Sequence, residues 1–339
     1  MMSEIIIFTD YLDRFGSKQN SESYRSGMKL DLLKSEFEKQ GFNVFIYQIS
    51  NFEKTKISLK DAYILFTSTE DINGKYKSFI SDIVYFFQLS NYSIIPNYAI
   101  LKSHNNKVMM ELLRMKHDFD DVHFFDTKFA STINELKKLK LEFPVVIKGA
   151  SGALSRGVYL ANNRRDLIYL YNKINIKDRF LVCLKELGRR LKHRGNYNFE
   201  SLRRGKVVVQ KFIPNVNHDY KVLIYFDKCF VLKRNNRKND FRASGSGDYE
   251  YIEDISVEIL NLALHLRKKL TVPNLSIDIA ETNKGLCVFE FQGIYFGTKT
   301  IESSPFHFVL EENGNWKIIK EKVDLEKTFV YSISKFINS

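Results

Sequence analysis

Apolar positions along the first hundred residues fall into short runs whose spacing switches between that of strands and that of helices. Glu4 to Thr9 is a continuous apolar run closed by Asp10, the pattern of a buried strand entering a loop. Tyr11 to Ser26 is polar, with Gly16 and several Ser and Asn, and predicts a long loop. Leu30, Leu32, Leu33 and Phe37 recur at helical spacing ahead of Gly41, a suitable C-terminal cap. Strands are predicted at Val44–Ile49 and Ala62–Thr67. Residues 74–89 place Phe79, Ile83, Val84, Phe87 and Leu89 in helical register, and Ile94-Ile95-Pro96 closes the unit. Strand, helix, strand, strand, helix, strand is the order of an open α/β sheet. The long loop after the first strand then falls at the carboxyl edge, where such sheets bind ligands.

Beyond residue 100 the pattern predicts a helix at Asn105–Lys116 and strands at Val122–Phe125 and Pro144–Ile147. A basic stretch covers 178–206, followed by strands at Val207–Ile213, Lys221–Phe226 and Cys229–Lys233. A helix at 254–270, a hairpin at 275–292 and a helix from Asp324 to Ile337 complete the chain. At about 150 residues per domain, 339 residues make two or three domains. The content of 44% hydrophobic and 27% charged residues excludes wholesale disorder.

Ile5 to Phe8 is far shorter than the ~18 apolar residues of a membrane span, and Met1 to Glu4 is not the start of a signal peptide. Cys183, Cys229 and Cys287 are widely spaced and frame neither a disulfide set nor a thiolate metal site. These features predict a soluble, cytoplasmic protein. The net charge of +12 suits anionic partners, and suits equally a chain on which charge only sets solubility.

The hairpin carries the clearest chemical signal. With its turn at Asn283–Gly285 and symmetry about Lys284, Asp278 faces Glu290 and period two puts Gln292 on the same face. Two carboxylates and an amide oxygen are hard donors suited to Mg²⁺, with Mn²⁺ as the alternative. A solvated acidic face fits the same pattern. Lys148 ends a strand and leads into Gly149, Ser151, Gly152, Ser155 and Gly157, small residues that expose backbone N–H groups able to wrap phosphate. No Lys-Ser or Lys-Thr follows, so this is not the compact phosphate loop, and a plain glycine-rich turn fits as well. Gln210-Lys211-Phe212-Ile213 lies on an apolar strand whose backbone edge suits a purine, with Asp219 placed for ribose hydroxyls. Arg242, ahead of Ser244-Gly245-Ser246-Gly247, suits an oxyanion or carboxylate.

In this order, Lys107, Lys148 with its loop, Gln210–Ile213, Arg234, Asp240-Phe241-Arg242, then Asp278, Glu290 and Gln292 resemble the ATP-grasp superfamily over residues 95–305. The glutathione-synthetase-like branch, which includes ligases that add glutamate to a ribosomal protein, is the nearest look. The resemblance implies an α/β chain with an N-terminal Rossmann-like open parallel sheet (1–100) and a two-lobed α+β module. Its lobes would span 101–209 and 210–339. It implies ATP held by Lys107, Lys148 and the Gly149–Gly157 cover, adenine read by Gln210 to Ile213, and Asp219 on the ribose side. Mg²⁺ would lie on Asp278, Glu290 and Gln292. Arg242 and Arg234 would be catalytic, and Lys221, Ser244, Gly245 and Ser246 would line the substrate.

The implied reaction joins a carboxylate to an amine or thiol through an acyl phosphate, releasing ADP and phosphate. Substrates would be small molecules or peptides, anionic ones included, and a homo-oligomer is compatible. Gln292 stands where the family has Asn, and Lys221 where close relatives carry Arg. The longer connection from Lys148 to Gln210 holds Lys185, Arg189, Arg190, Lys192, His193, Arg194, Arg203, Arg204 and Lys206 against Glu186 and Glu200. That stretch suits an anionic carrier or a solvated surface, and its few aromatics disfavour nucleic acid. A kinase on the same scaffold, a non-catalytic nucleotide-binding regulator and a nucleic-acid module are the competing readings. His104 and His265 have no metal-ligand partner at useful spacing and are expected to be structural.

Overall fold

The computed structural model describes residues 3–21, 26–119, 125–152, 157–175, 179–193, 197, 204–237, 240–242 and 247–339, with backbone alone for 72 and 179–183. Its contacts divide the chain into two compact units, Met1–His104 with Val216–Ser339, and Asn105–Asn215.

The first unit opens with β1 (Glu4–Thr9), α1 (Leu30–Lys39), β2 (Asn43–Gln48), β3 (Ala62–Phe66), α2 (Lys75–Leu89), β4 (Ser93–Ile95) and α3 (Tyr98–Ser103). The four strands form a parallel sheet in the order β2-β1-β3-β4. Ile5 to Phe8 are fully buried, as a central parallel strand covered on both faces requires. Leu33 and Phe37 turn α1 inward. On α2 the buried apolar residues are Ile80, Ile83, Val84 and Phe87, a helical stripe. Phe79 and Leu89, expected on that stripe, are 42% and 64% exposed on the outward side.

The second unit holds α4 (Lys107–Lys116), β5 (Lys128–Thr132), α5 (Ile133–Lys138), β6 (Val145–Gly149), β7 (Val158–Ala161), α6 (Arg164–Ile174), α7 (Arg179–His193) and β8 (Arg204–Lys211). Its sheet is antiparallel in the order β5-β8-β6-β7. Val145, Ile147, Val207 and Val209 face a core closed by Ile133, Leu136, Leu167 and Tyr171. The strand expected at Val122–Phe125 lies outside the described residues up to Phe125, and the strand seen is β5. It runs into α5 through a capping box at Thr132 and Glu135.

The chain then returns to the first unit with β9 (His218–Tyr225), β10 (Lys228–Asn235), β11 (Tyr249–Glu250), α8 (Val257–Leu270), β12 (Asn274–Thr282) and β13 (Gly285–Gln292). α9 (Lys299–Ser303), β14 (His307–Leu310), β15 (Trp316–Ile319) and α10 (Leu325–Ile337) end it. These strands form a seven-stranded sheet, β13-β12-β9-β10-β14-β15, with β11 on β10. α8 packs on β9 and β12, and α10 packs on α1. Among the described residues no helix is long and apolar enough to cross a membrane.

Candidate active site

Pairing across three strands assembles the polar face of the seven-stranded sheet. Asp278 stands opposite Glu290 on β13 and opposite Lys221 on β9, while Asp219 stands opposite Arg234 on β10. Paired residues share a face, so Asp219, Lys221, Arg234, Asp278, Glu290, Gln292 and Ser276 all point to one side. The Asp278–Glu290 pairing holds, but by a different route from the symmetric hairpin. The turn has two residues, Asn283 and Lys284, with Thr282 opposite Gly285. A bulge at Phe289 then adds one residue to β13, and this extra residue returns Glu290 to Asp278.

Arg234 organises this face. Its Nε and Nη2 donate to the two oxygens of Asp219 at 2.7 and 2.8 Å, and Nη2 reaches Asp278 at 2.9 Å. Burial works against the guanidinium charge, but Asp278 and Asp219 outweigh it and hold its pKa above the ordinary value. Burial and then the neighbouring Asp278 push the Asp219 carboxyl up to about 6, against the pull of Arg234 and Lys221. Lys221 Nζ donates to Ser276 Oγ at 3.0 Å and lies 3.9 Å from Asp278. Gln292 Nε2 donates to Glu290 at 3.0 Å. Each oxygen of Asp219 accepts one bond from the arginine, so its carboxylate anchors Arg234.

Among the described residues no group of three or more His, Cys, Asp or Glu side chains is set to hold a metal ion. Asp278 and Glu290 with the Gln292 amide nevertheless suit Mg²⁺, which takes one or two carboxylates and fills its shell with water and phosphate oxygens.

In the second unit Lys107 is buried, and its Nζ donates to Gly152 O at 3.0 Å while its backbone N–H donates to Ala150 O at 2.8 Å. Asn105 Oδ1 accepts from Gly152 N at 2.7 Å, and Gly149 N donates to Gly157 O at 2.9 Å. Gly152 and Gly157 have φ of +131° and +76°, which side chains rarely adopt. Ser151 is exposed, and Ser155 lies outside the described residues.

Lys148 sits over the Phe125 ring at 5.8 Å. It pairs with Val208, and Val146 pairs with Gln210, so Lys148 and Gln210 share a face. Gln210 is buried and donates to Thr127 Oγ1 at 3.0 Å, and its Oε1 has no partner among the described residues. Lys211 turns outward to Glu142 at 2.9 Å, Phe212 N donates to Pro144 O at 3.3 Å, and Ile213 is half-buried.

Arg242 folds back on Asp240, to which its Nε donates at 2.9 Å and Nη2 at 2.6 Å. Ser244, Gly245 and Ser246 lie outside the described residues, as do Arg194, Glu200 and Arg203 of the basic stretch. Within that stretch Glu186 is buried and accepts from Arg189 and Tyr197, while Leu184, Leu187 and Leu191 are exposed. His104 is buried, its Nδ1 2.8 Å from Ser68 Oγ and its Nε2 4.0 Å from a Glu70 carboxylate oxygen. Asn105 and Ser276 were missed from sequence, although 276 and 292 face each other by the same arithmetic that pairs 278 with 290.

No protein-family model and no curated protein matches the chain. Solved structures do match. The chain is similar to macrocyclase MdnC bound with precursor peptide MdnA from Microcystis aeruginosa MRC, at 13% identity and TM-score 0.52, over 99% of this chain and 100% of that one. It is also similar to ATP-grasp ligase PsnB complexed with minimal precursor, at 11% identity and TM-score 0.51, over 99% and 100%. D-cycloserine synthetase DcsG follows at 10% identity and TM-score 0.51, over 98% and 99%.

Proposed function

The chain has the ATP-grasp fold, and from that premise we propose that it is an ATP-dependent ligase joining a carboxylate to an amine. The observation that carries this reading is the polar face of the seven-stranded sheet, where Asp278 and Glu290 oppose each other beside Arg234, Lys221 and Gln292. Residues 1–100 would precede two lobes, 101–209 and 210–339.

ATP is a substrate in this proposal. Lys107, Lys148 and the N–H groups of Ser151 and Gly157 would hold its phosphates, joined by those of Gly149 and Gly152 once these leave Gly157 O and Asn105 Oδ1. Gln210, with its unmatched Oε1, and the backbone of Lys211 to Ile213 would read adenine. Asp278, Glu290 and Gln292 would hold Mg²⁺, which neutralises phosphate charge when bound. The carboxylate substrate takes the γ-phosphoryl group, ADP leaves, and the amine nitrogen attacks the acyl carbon to expel phosphate. Arg234, held by Asp219, would face developing negative charge. Arg242 would serve the oxyanion after exchanging Asp240 for substrate, and a well-placed donor there contributes about 3–4 kcal/mol. Lys221 and Ser244 to Ser246 would line the acceptor.

Product analysis tests the reading. A ligase releases ADP and free phosphate only when acid and amine are both present. A stable phosphorylated product would instead identify a kinase.

A further inference from the structure

At the carboxyl ends of β1, β3 and β4, where the parallel order reverses, the first unit contains a cavity of about 60 Å³. On a scale where one water needs about 10–15 Å³, it holds about four to six non-hydrogen atoms. Its walls are mostly apolar and include Phe15, Ile95, Ile294 and Phe329. The wall from the β1–α1 loop is held in place by two buried carboxylates. Glu302 accepts from the N–H groups of Gln19 and Asn20 at 2.7 and 2.9 Å. Glu326 accepts from Lys18 Nζ at 2.6 Å and from Lys29 N at 2.8 Å.

The two lining threonines are already committed: Thr67 accepts from Gly16 N and donates to Ser68 O, and Thr298 accepts from Gln19 N and donates to Glu302. Asn274, 4% exposed, also lines the cavity, and its Oδ1 has no partner among the described residues. Asn274, Ser276 and Asp278 alternate onto one face of β12, in steps of about 6.6 Å. The cavity therefore lies on the same strand face as the charged cluster, about 13 Å along from Asp278.

We propose that this cavity receives a branched aliphatic side chain of a peptide-type substrate, with the adjacent amide N–H donating to Asn274 Oδ1. The substrate's reacting group would lie at the charged face. The assignment rests on the ligase reading above, and the test separates the two.

The full chain is titrated with N-acetyl-L-leucinamide, with N-acetyl-L-serinamide and, separately, with AMP-PNP and Mg²⁺. Binding of the leucine compound at least tenfold tighter than the serine compound is expected. Ile294→Phe, which fills the space, should abolish that preference while AMP-PNP still binds. In the wild type, nuclear Overhauser contacts should link the leucine methyls to Ile95 and Ile333. Equal binding of the two amides, absence of those contacts, or a preference that survives Ile294→Phe overturns the cavity assignment. Failure of AMP-PNP to bind the wild type overturns the ligase reading, whereas the comparison of the two amides reads the cavity alone.

Discussion

Replacing Asp219 by Asn removes the charge that anchors Arg234. The pair is 11% and 7% exposed and joined by two charge-assisted bonds at 2.7 and 2.8 Å, each contributing about 1.5–3 kcal/mol. Asn keeps one acceptor, Arg234 keeps Asp278 at 2.9 Å, and losing the charge relieves the burial and the repulsion by Asp278 that raise the Asp219 pKa, so the expected loss is reduced to about 1–2 kcal/mol. Arg234→Gln costs more, about 3–5 kcal/mol, because it leaves two neighbouring carboxylates with only the more distant Lys221, 3.9 Å from Asp278. In the double variant Asp219 no longer repels Asp278, and the combined loss should fall short of the sum by about 1 kcal/mol or more. Urea unfolding of the wild type, both single variants and the double variant at neutral pH measures this directly. Losses that add to within about 0.5 kcal/mol, or an Asp219→Asn protein as stable as the wild type, would refute the role given to this pair.

Acid should destabilise the fold through His104. Burial, with Lys77 nearby, lowers its pKa from 6.5 to about 3, so the unfolded chain takes up a proton that the folded chain refuses. Its contribution is complete above pH 6.5 and falls by about 2 kcal/mol as pH drops to 5. His104→Asn should flatten that part of the stability–pH profile, and an unchanged profile would contradict the assignment. Lys107→Met keeps the buried stem but loses the bond to Gly152 O, with an expected cost of about 1.5–3 kcal/mol. ATP affinity measured by calorimetry should fall at least tenfold, and full affinity would remove Lys107 from the phosphate site.

The parallel sheet was legible because β1, β2 and β3 are short apolar runs separated by helical spacing, which are local signals. The Asp278–Glu290 pair was legible through hairpin arithmetic, but the two-residue turn and the bulge at Phe289 were not, and their offsets cancel. The Asp219–Arg234–Asp278 cluster depends on β9 pairing with both β10 and β12. The β9–β10 turn places Phe226 at φ +58° with no glycine to mark it, so the register left no sequence signal. β5 and α5 were missed even though Thr132 and Glu135 spell a capping box, a signal that was present and unread. The inward turn of Ile80 in place of Phe79 reflects a register that only packing against the sheet selects. The cavity at the strand ends draws on segments hundreds of positions apart, and no local pattern announces it.

Calorimetric titration of AMP-PNP with and without Mg²⁺, into the wild type and Glu290→Ala, tests the central claim most directly. Binding that strengthens with Mg²⁺ in the wild type and loses that dependence in a folded Glu290→Ala protein is the expected result. No heat from nucleotide under either condition, or the same Mg²⁺ dependence in both proteins, would contradict it.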